Sequence, residues 1–318
     1  MSVHFLKKLL PVRWKHAWKQ ALLASLDDDL RSLAREEGRG EGEALLREHG
    51  LPRPSVVGDL YQGWQRPVKN GSYFFDASDL AAERTGEGLP VPPGGLRMGY
   101  YEDDSEAAYL ESGKDAADRL RAVYTANGGA FGAGTRVLDW GCASGRVLRH
   151  FAVEAGAGEF WGADQDERYV CWDKENLSPP FRFVTCSAYP HLPFEDNTFD
   201  FIYGISVFTH VVDLADAWLM ELRRITKPRG LVLLTVHTEA SLDFFETEYW
   251  PYWLDRETPL DEFRKHDMAV LAGPDWGSTF PFFRESYLRR EWGRYFDIAD
   301  IRPAFAQFGQ TVVLLRKP

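Results

Sequence analysis

The chain has 318 residues, 44% apolar and 27% charged, enough to bury one large core or one core with an appendage. A net charge of −11 argues against nucleic acid as the main partner, because a phosphate backbone would be repelled. The three cysteines, Cys142, Cys171 and Cys186, form no even disulfide set and read as reduced thiols of a cytoplasmic protein. No apolar run approaches the ~20 residues that span a bilayer. Lys7, Lys8, Arg13, Lys15 and Lys19 interrupt the apolar stretches near the N-terminus, so no transmembrane segment or secretory signal is expected.

In chain order, residues 1–20 are basic and place Phe5, Leu6, Leu9, Leu10, Trp14 and Trp18 at spacings that form one apolar helix face. Such a helix packs on its own domain or on a dimer mate; alternatively it docks on a membrane surface or a partner. Residues 26–50 are mainly acidic, and 51–95 are rich in Pro and Gly, so 1–96 reads as a helical and irregular extension. From residue 105 the pattern turns regular. A helix is expected over 105–127, closed by Asn127-Gly128-Gly129. Strands follow at 136–140, 159–164, 181–186, 199–205 and 231–237, with helices at 146–155, 167–176 and 213–226 between them. This alternation predicts an α/β doubly wound, mainly parallel sheet covered on both faces. A helix near 285–293 and apolar runs at 295–301 and 310–315 suit an antiparallel hairpin at the sheet edge. The stretch 238–284 fits none of this and reads as an insertion.

Ligands of open parallel sheets bind at the carboxyl ends of the strands. The first such turn is Val137-Leu138-Asp139-Trp140-Gly141-Cys142-Ala143-Ser144-Gly145-Arg146. Gly141 and Gly145 permit a tight turn and close backbone approach, a logic shared with dinucleotide sites. The dinucleotide spacing is not met, however, because 143 is Ala and 146 is Arg. Asp139 before the loop would also repel a pyrophosphate, and suits a ligand with a positive amino group. Asp164 ends the second strand, where a carboxylate reaches ribose hydroxyls or, on the plainer reading, caps a helix. Asp166 is the better N-cap. An Asp-x-Asp start also suggests a calcium loop, but Tyr169 stands where that loop needs Gly, and no metal site is expected.

This ordered set of motifs resembles the class I S-adenosylmethionine-dependent methyltransferases, in particular their small-molecule branch in bacterial biosynthetic clusters. The resemblance covers roughly 97–318. It includes Val137–Arg146, Trp161–Asp164, His191–Tyr203, and Ser206–His210 followed by Trp218, Glu221-Leu222 and Lys227-Pro228. It implies a Rossmann-like sheet of seven strands with the last antiparallel, a methyltransferase domain over 97–318, and a lid over the acceptor at 238–284. It also implies S-adenosylmethionine as cofactor, held by Asp139, Gly141, Cys142, Ala143, Gly145, Asp164, Gln165, Ser187, Ala188 and Ile205. Ala143 and Arg229 replace usual glycines, and Ser187 replaces a usual Asp beside the adenine amino group.

Methyl transfer from a sulfonium is an in-line displacement that needs collinear positioning in a dry site. An alcohol acceptor also needs a base, for which the resemblance points first to His210 and then to His237. Asp213 and Asp216 lack the spacing of a metal signature. The insertion is dense in aromatics and acidic, which disfavours a strongly anionic acceptor and leaves a hydroxyl of a sugar or another hydroxylated metabolite as the expected one. Two other readings stand beside this one: a catalytically silent cofactor-binding scaffold and a nicotinamide-dependent oxidoreductase.

Overall fold

The computed structural model describes residues 88–97, 105–212, 214–244, 263–271, 280–303 and 309–318, all within one compact unit. The expected N-terminal helices at 1–20 and 26–50 lie outside the described residues, as does Asp213. Described strands are β1 (Arg136–Trp140), β2 (Glu159–Asp164), β3 (Arg182–Thr185), β4 (Phe199–Gly204), β5 (Thr226–Thr238), β6 (Met268–Leu271), β7 (Phe280–Phe283), β8 (Asp297–Arg302) and β9 (Thr311–Arg316). The helices are α1 (Glu106–Ala126), α2 (Ala152–Ala155), α3 (Glu167–Asn176), α4 (Ala215–Ile225), α5 (Glu239–Phe244) and α6 (Glu285–Glu291).

β1 lies parallel between β2 and β4, with β3 beyond β2 and β5 beyond β4. β9 runs antiparallel to β5 over Leu231–Val236, and β8 runs antiparallel to β9. These strands form the doubly wound sheet expected, in the order β3-β2-β1-β4-β5-β9-β8, with the antiparallel hairpin at the edge. The sheet is larger than expected. His237 and Thr238, past the end of the β9 pairing, pair in parallel with Phe282 and Phe283, so β7 and its hairpin mate β6 extend the sheet. Both come from the stretch read as an insertion. Among its described side chains, Phe283 belongs to the core: it is 1% exposed and its ring packs 5.8 Å from that of Trp292.

The near-continuous apolar runs of β4 and β5 reflect burial on both faces. Alternation along the strands sends Val137, Asp139, Phe201, Tyr203, Leu233 and Thr235 to one face and Leu138, Trp140, Ile202 and Leu234 to the other. The first face is covered by α1, α3 and the turns before α2. On the second, Trp140 packs 4.6 Å from Trp218 of α4. α1 starts where Ser105 accepts the Ala108 N–H at 3.2 Å, and it buries Tyr109, Gly113, Ala117, Leu120 and Tyr124 along one stripe. Gly113 lets α1 lie directly on the first loop, because a methyl there would overlap the Arg146 carbonyl.

Two local expectations are corrected. The helix expected at 146–155 is only the turn α2, preceded by a 3-10 turn at Leu148–Phe151. The chain leaves the loop through Gly145 at φ 69°, and the tighter 3-10 pitch brings Leu148 and Phe151 onto the same inward face. After α4, where the sequence Lys227-Pro228-Arg229-Gly230 leads one to expect Pro228 to end the helix and Gly230 to supply the turn, the left-handed residue is instead Arg229 at φ 65°. Gly230 is required for space: a side chain there would crowd the backbone carbonyls of Lys227 and Asp200. Residues 88–97 straddle the expected domain boundary at 96 yet are seated on the core, with Leu96 buried. Arg149 donates to the carbonyls of Leu89 and Pro90 at 2.6 and 2.7 Å.

Candidate active site

The loop after β1 is held from three sides. The Asp164 carboxylate accepts the Ala143 N–H at 2.8 Å through one oxygen and the Asp166 N–H at 2.9 Å through the other. The buried Tyr109 hydroxyl donates to the Ser144 carbonyl at 2.7 Å, and the Ser144 hydroxyl donates to the Leu96 carbonyl at 2.7 Å. Gly141, at φ 79°, is pressed by Val207 from the segment after β4, and a side chain there would overlap the Val207 methyl. Ala143 takes φ 46°, a left-handed backbone that strains a residue with a side chain.

Asp164 does not cap α3. Asp166 does, accepting the Arg168 N–H at 3.0 Å. That leaves Asp164 as a buried carboxylate at a strand end. Asp139 is buried too, and stands in register with Tyr203 on β4. Burial pushes the Asp139 carboxyl up to about 7. The Tyr203 phenol opposes this in part, although its hydroxyl makes no well-aligned hydrogen bond among the described residues. Arg146 also pulls Asp139 down, without forming a salt bridge among the described residues, and the charge of Asp164 pushes it up. Asp164 is raised by burial to about 6, against the pull of its backbone donors.

A third acid was not legible in the sequence. Asp173 of α3 is fully buried under the loop and raised well above the usual carboxylate range, first by burial and then by Asp164 and Asp139. Its Oδ2 takes only a long 3.9 Å contact from the Cys142 thiol, and its Oδ1 has no partner among the described residues. Three desolvated carboxyls around one loop make a site that disfavours added negative charge and favours a cation. In sequence, Asp173 looks like any polar residue of a mixed helix, and Tyr109 like an ordinary core position.

The remaining expected contacts fall at the same edge. Cys142 lies buried inside the loop and Gln165 follows Asp164. Ser187 and Ala188 follow β3, where the Cys186 N–H donates to the Asp164 carbonyl at 2.8 Å. The Ser187 hydroxyl is turned to its own backbone, 3.2 Å from the Tyr189 N–H that it accepts. Ile205 ends β4 half-buried against the core. His210 and His237 converge on one ring, their centroids 5.5 and 5.7 Å from that of Phe280. His237 is 2% exposed, and burial followed by the nearby His210 lowers it to about 3, so it stays neutral at ordinary pH. Among the described residues no cluster of acids, histidines and cysteines has the arrangement of a metal site, and no helix is long and apolar enough to cross a membrane.

Residues 138–234, from β1 into β5, match the family model described as "Methyltransferase domain". This stretch, less than half of the chain, is similar to that family's domain. The chain is 30% identical over 160 residues to the ubiquinone/menaquinone biosynthesis C-methyltransferase UbiE of Cupriavidus pinatubonensis, covering 45% of this chain and 62% of that enzyme. To the enzyme of the same name from Burkholderia cenocepacia it is 35% identical over 111 residues, covering 32% of this chain and 42% of that one. The chain thus spans less than two thirds of either relative. The solved structure of the PH0226 protein of Pyrococcus horikoshii overlaps with a TM-score of 0.49 at 18% identity, covering 69% of this chain and 95% of that one. That overlap is too loose to carry an argument.

The residues present fit S-adenosylmethionine, the cofactor that the methyltransferase match implies. The buried carboxyls of Asp139 and Asp164 beside the loop suit the cationic methionine end of that cofactor and would repel the pyrophosphate of a nicotinamide dinucleotide.

Proposed function

We propose that the whole chain transfers a methyl group from S-adenosylmethionine to a small hydroxylated acceptor, a sugar hydroxyl or that of a related metabolite. The observation that carries this reading is the pair of buried carboxylates, Asp139 and Asp164, converging on the loop. Asp139 holds the amino group, Asp164 the ribose hydroxyls, and Gly141, Cys142, Ala143 and Gly145 offer backbone to the ligand between them. Gln165, Ser187 and Ala188 border the adenine end, and Ile205 the methionine end. When bound, S-adenosylmethionine supplies an electrophilic methyl. The protein's own task is to orient the acceptor, exclude water and take up the hydroxyl proton. His210 is the group for that proton, and His237, kept neutral by burial, orients the acceptor or receives the proton in its place. In this reading residues 97–318 are the catalytic unit, and residues 1–20 dock on a membrane surface, a partner or a second copy. On the same reading the protein is cytoplasmic and nucleic acid is not its partner.

A second reading is favoured by the relatives, both named C-methyltransferases: the methyl goes to a carbon of the acceptor. Carbon-13-labelled S-adenosylmethionine, incubated with panels of sugars and phenols, separates the two, because the methyl resonance reports the atom that received it. Methylated hydroxyls support the main reading. Tight binding of S-adenosylhomocysteine with no labelled product from any acceptor would leave the silent scaffold instead.

A further inference from the structure

Between α1 and the sheet lies a cavity of about 300 Å³ that shares Ile205 with the cofactor contacts above and is otherwise lined by other residues. Its floor is apolar, formed by Leu233 of β5 and Val312 of β9, against Ala116 and Leu120 of α1. Its inner end is polar and uncharged. The Ser206 N–H donates to the Thr235 hydroxyl at 2.7 Å, which holds Ser206 at φ 58°. The Ser206 hydroxyl meets the Gln310 amide, 3.0 Å from Nε2 and 3.1 Å from Oε1. Gln310 is 3% exposed. A glutamine amide has two N–H donors and a two-lone-pair oxygen, more than one serine hydroxyl can satisfy. The rim carries Arg119 and Arg146 against Glu111 and Asp115, so its charges balance.

Position ties this cavity to the chemistry. Arg146 belongs to the loop after β1, and Ile205 and Ser206 leave β4 beside it. Thr235 lies two residues before His237 on the same face of β5, so the floor of the cavity leads toward the paired histidines. A carboxylate or ammonium lowered onto the buried apolar floor of Leu233 and Val312 would be desolvated at a cost. A sugar, with a hydroxyl on every side, would bury several of them unpaired. A flat apolar ring with its oxygen at one end meets neither penalty.

Resting on the methyltransferase reading above, we propose that this cavity is the acceptor subsite, and that it takes an uncharged ring bearing a hydroxyl or carbonyl, such as a phenol. Gln310 and Thr235 grip the oxygen, and the apolar floor receives the ring. An apolar floor with one polar end selects, among hydroxylated acceptors, those whose polarity is confined to one end.

The probe is p-cresol, with p-toluate as its anionic counterpart and glucose as the polyhydroxylated one. Binding to the full chain is measured by ligand-observed NMR, with and without S-adenosylhomocysteine. We expect saturable binding of p-cresol, with p-toluate and glucose weaker by about tenfold or more. Ala116→Phe fills the cavity and should weaken p-cresol by about tenfold, while S-adenosylhomocysteine affinity, measured by calorimetry, stays unchanged. Ala108→Leu fills the cavity's other end and serves if the first variant does not fold. Gln310→Leu should weaken p-cresol but not toluene. Equal p-cresol binding by the wild type and a folded, cavity-filled variant overturns the proposal; so does p-toluate or glucose binding as tightly as p-cresol, or no saturable p-cresol binding. A wild type that binds p-cresol but not S-adenosylhomocysteine would instead overturn the cofactor assignment, so the two failures are distinguishable.

Discussion

The carboxylate of Asp164, at the end of β2, accepts the backbone N–H of Ala143 at 2.8 Å and so fixes the loop that follows β1. One side chain therefore does two things: it shapes the loop from within and presents its free lone pairs at the ligand edge. Asp164→Ala should weaken S-adenosylhomocysteine by about 2–4 kcal/mol, the worth of two hydrogen bonds to a charged group. Calorimetry with the fold checked by circular dichroism measures it. Unchanged affinity in a folded variant would remove the ribose role.

Asp139 and Asp164 set a pH dependence whose sign follows from burial. Their folded values, about 7 and about 6, lie above those of the unfolded chain. Groups raised in this way contribute stability that is complete below the unfolded carboxylate value near ~3.9 and is lost as pH rises through the folded values. The ligand-free protein should therefore lose stability between about pH 4 and about pH 7 through these groups. Binding of the cationic cofactor should tighten over the upper part of that range, as the carboxyls ionise. Thermal unfolding with and without S-adenosylmethionine across that range checks both signs, and an affinity that falls with rising pH would contradict the pairing.

His210 separates base catalysis from positioning. His210→Ala should lower kcat by about 10²–10⁴ with little change in cofactor affinity. His210→Asn keeps a hydrogen bond but accepts no proton near neutral pH. Normal turnover in that variant would move the base role to His237 or dispense with it. His237 is neutral from about pH 4 upward because burial holds it near 3, so its titration should leave no inflection in the rate profile near neutrality.

The stretch 238–284 also makes a prediction, because β7 is part of the sheet and Phe283 part of the core. Phe283→Ala should cost about 3–5 kcal/mol of stability in chemical denaturation. A residue belonging only to a mobile acceptor cover would leave stability within about 0.5 kcal/mol.

The alternation of strands and helices, the place of the ligand loop, the acids Asp139 and Asp164 at two strand ends and the N-cap Asp166 were all legible in the sequence. Each is written in short-range signals: apolar periodicity, a glycine turn, a carboxylate before a helix. What the tertiary structure decided joins residues far apart in the chain. Ser206 and Gln310 meet across 104 positions, Tyr109 and Ser144 across 35. The burial of Asp173 depends on the loop folding over α3, and the two added strands depend on β5 continuing beyond its β9 partner to pair with β7. Arg229 takes the left-handed position, while neighbouring carbonyls leave no room for a side chain at Gly230. Local patterns specify which elements form and where a loop turns. Desolvation and long-range hydrogen bonds exist only once those elements pack, and they determine which side chains share a site and in what charge state.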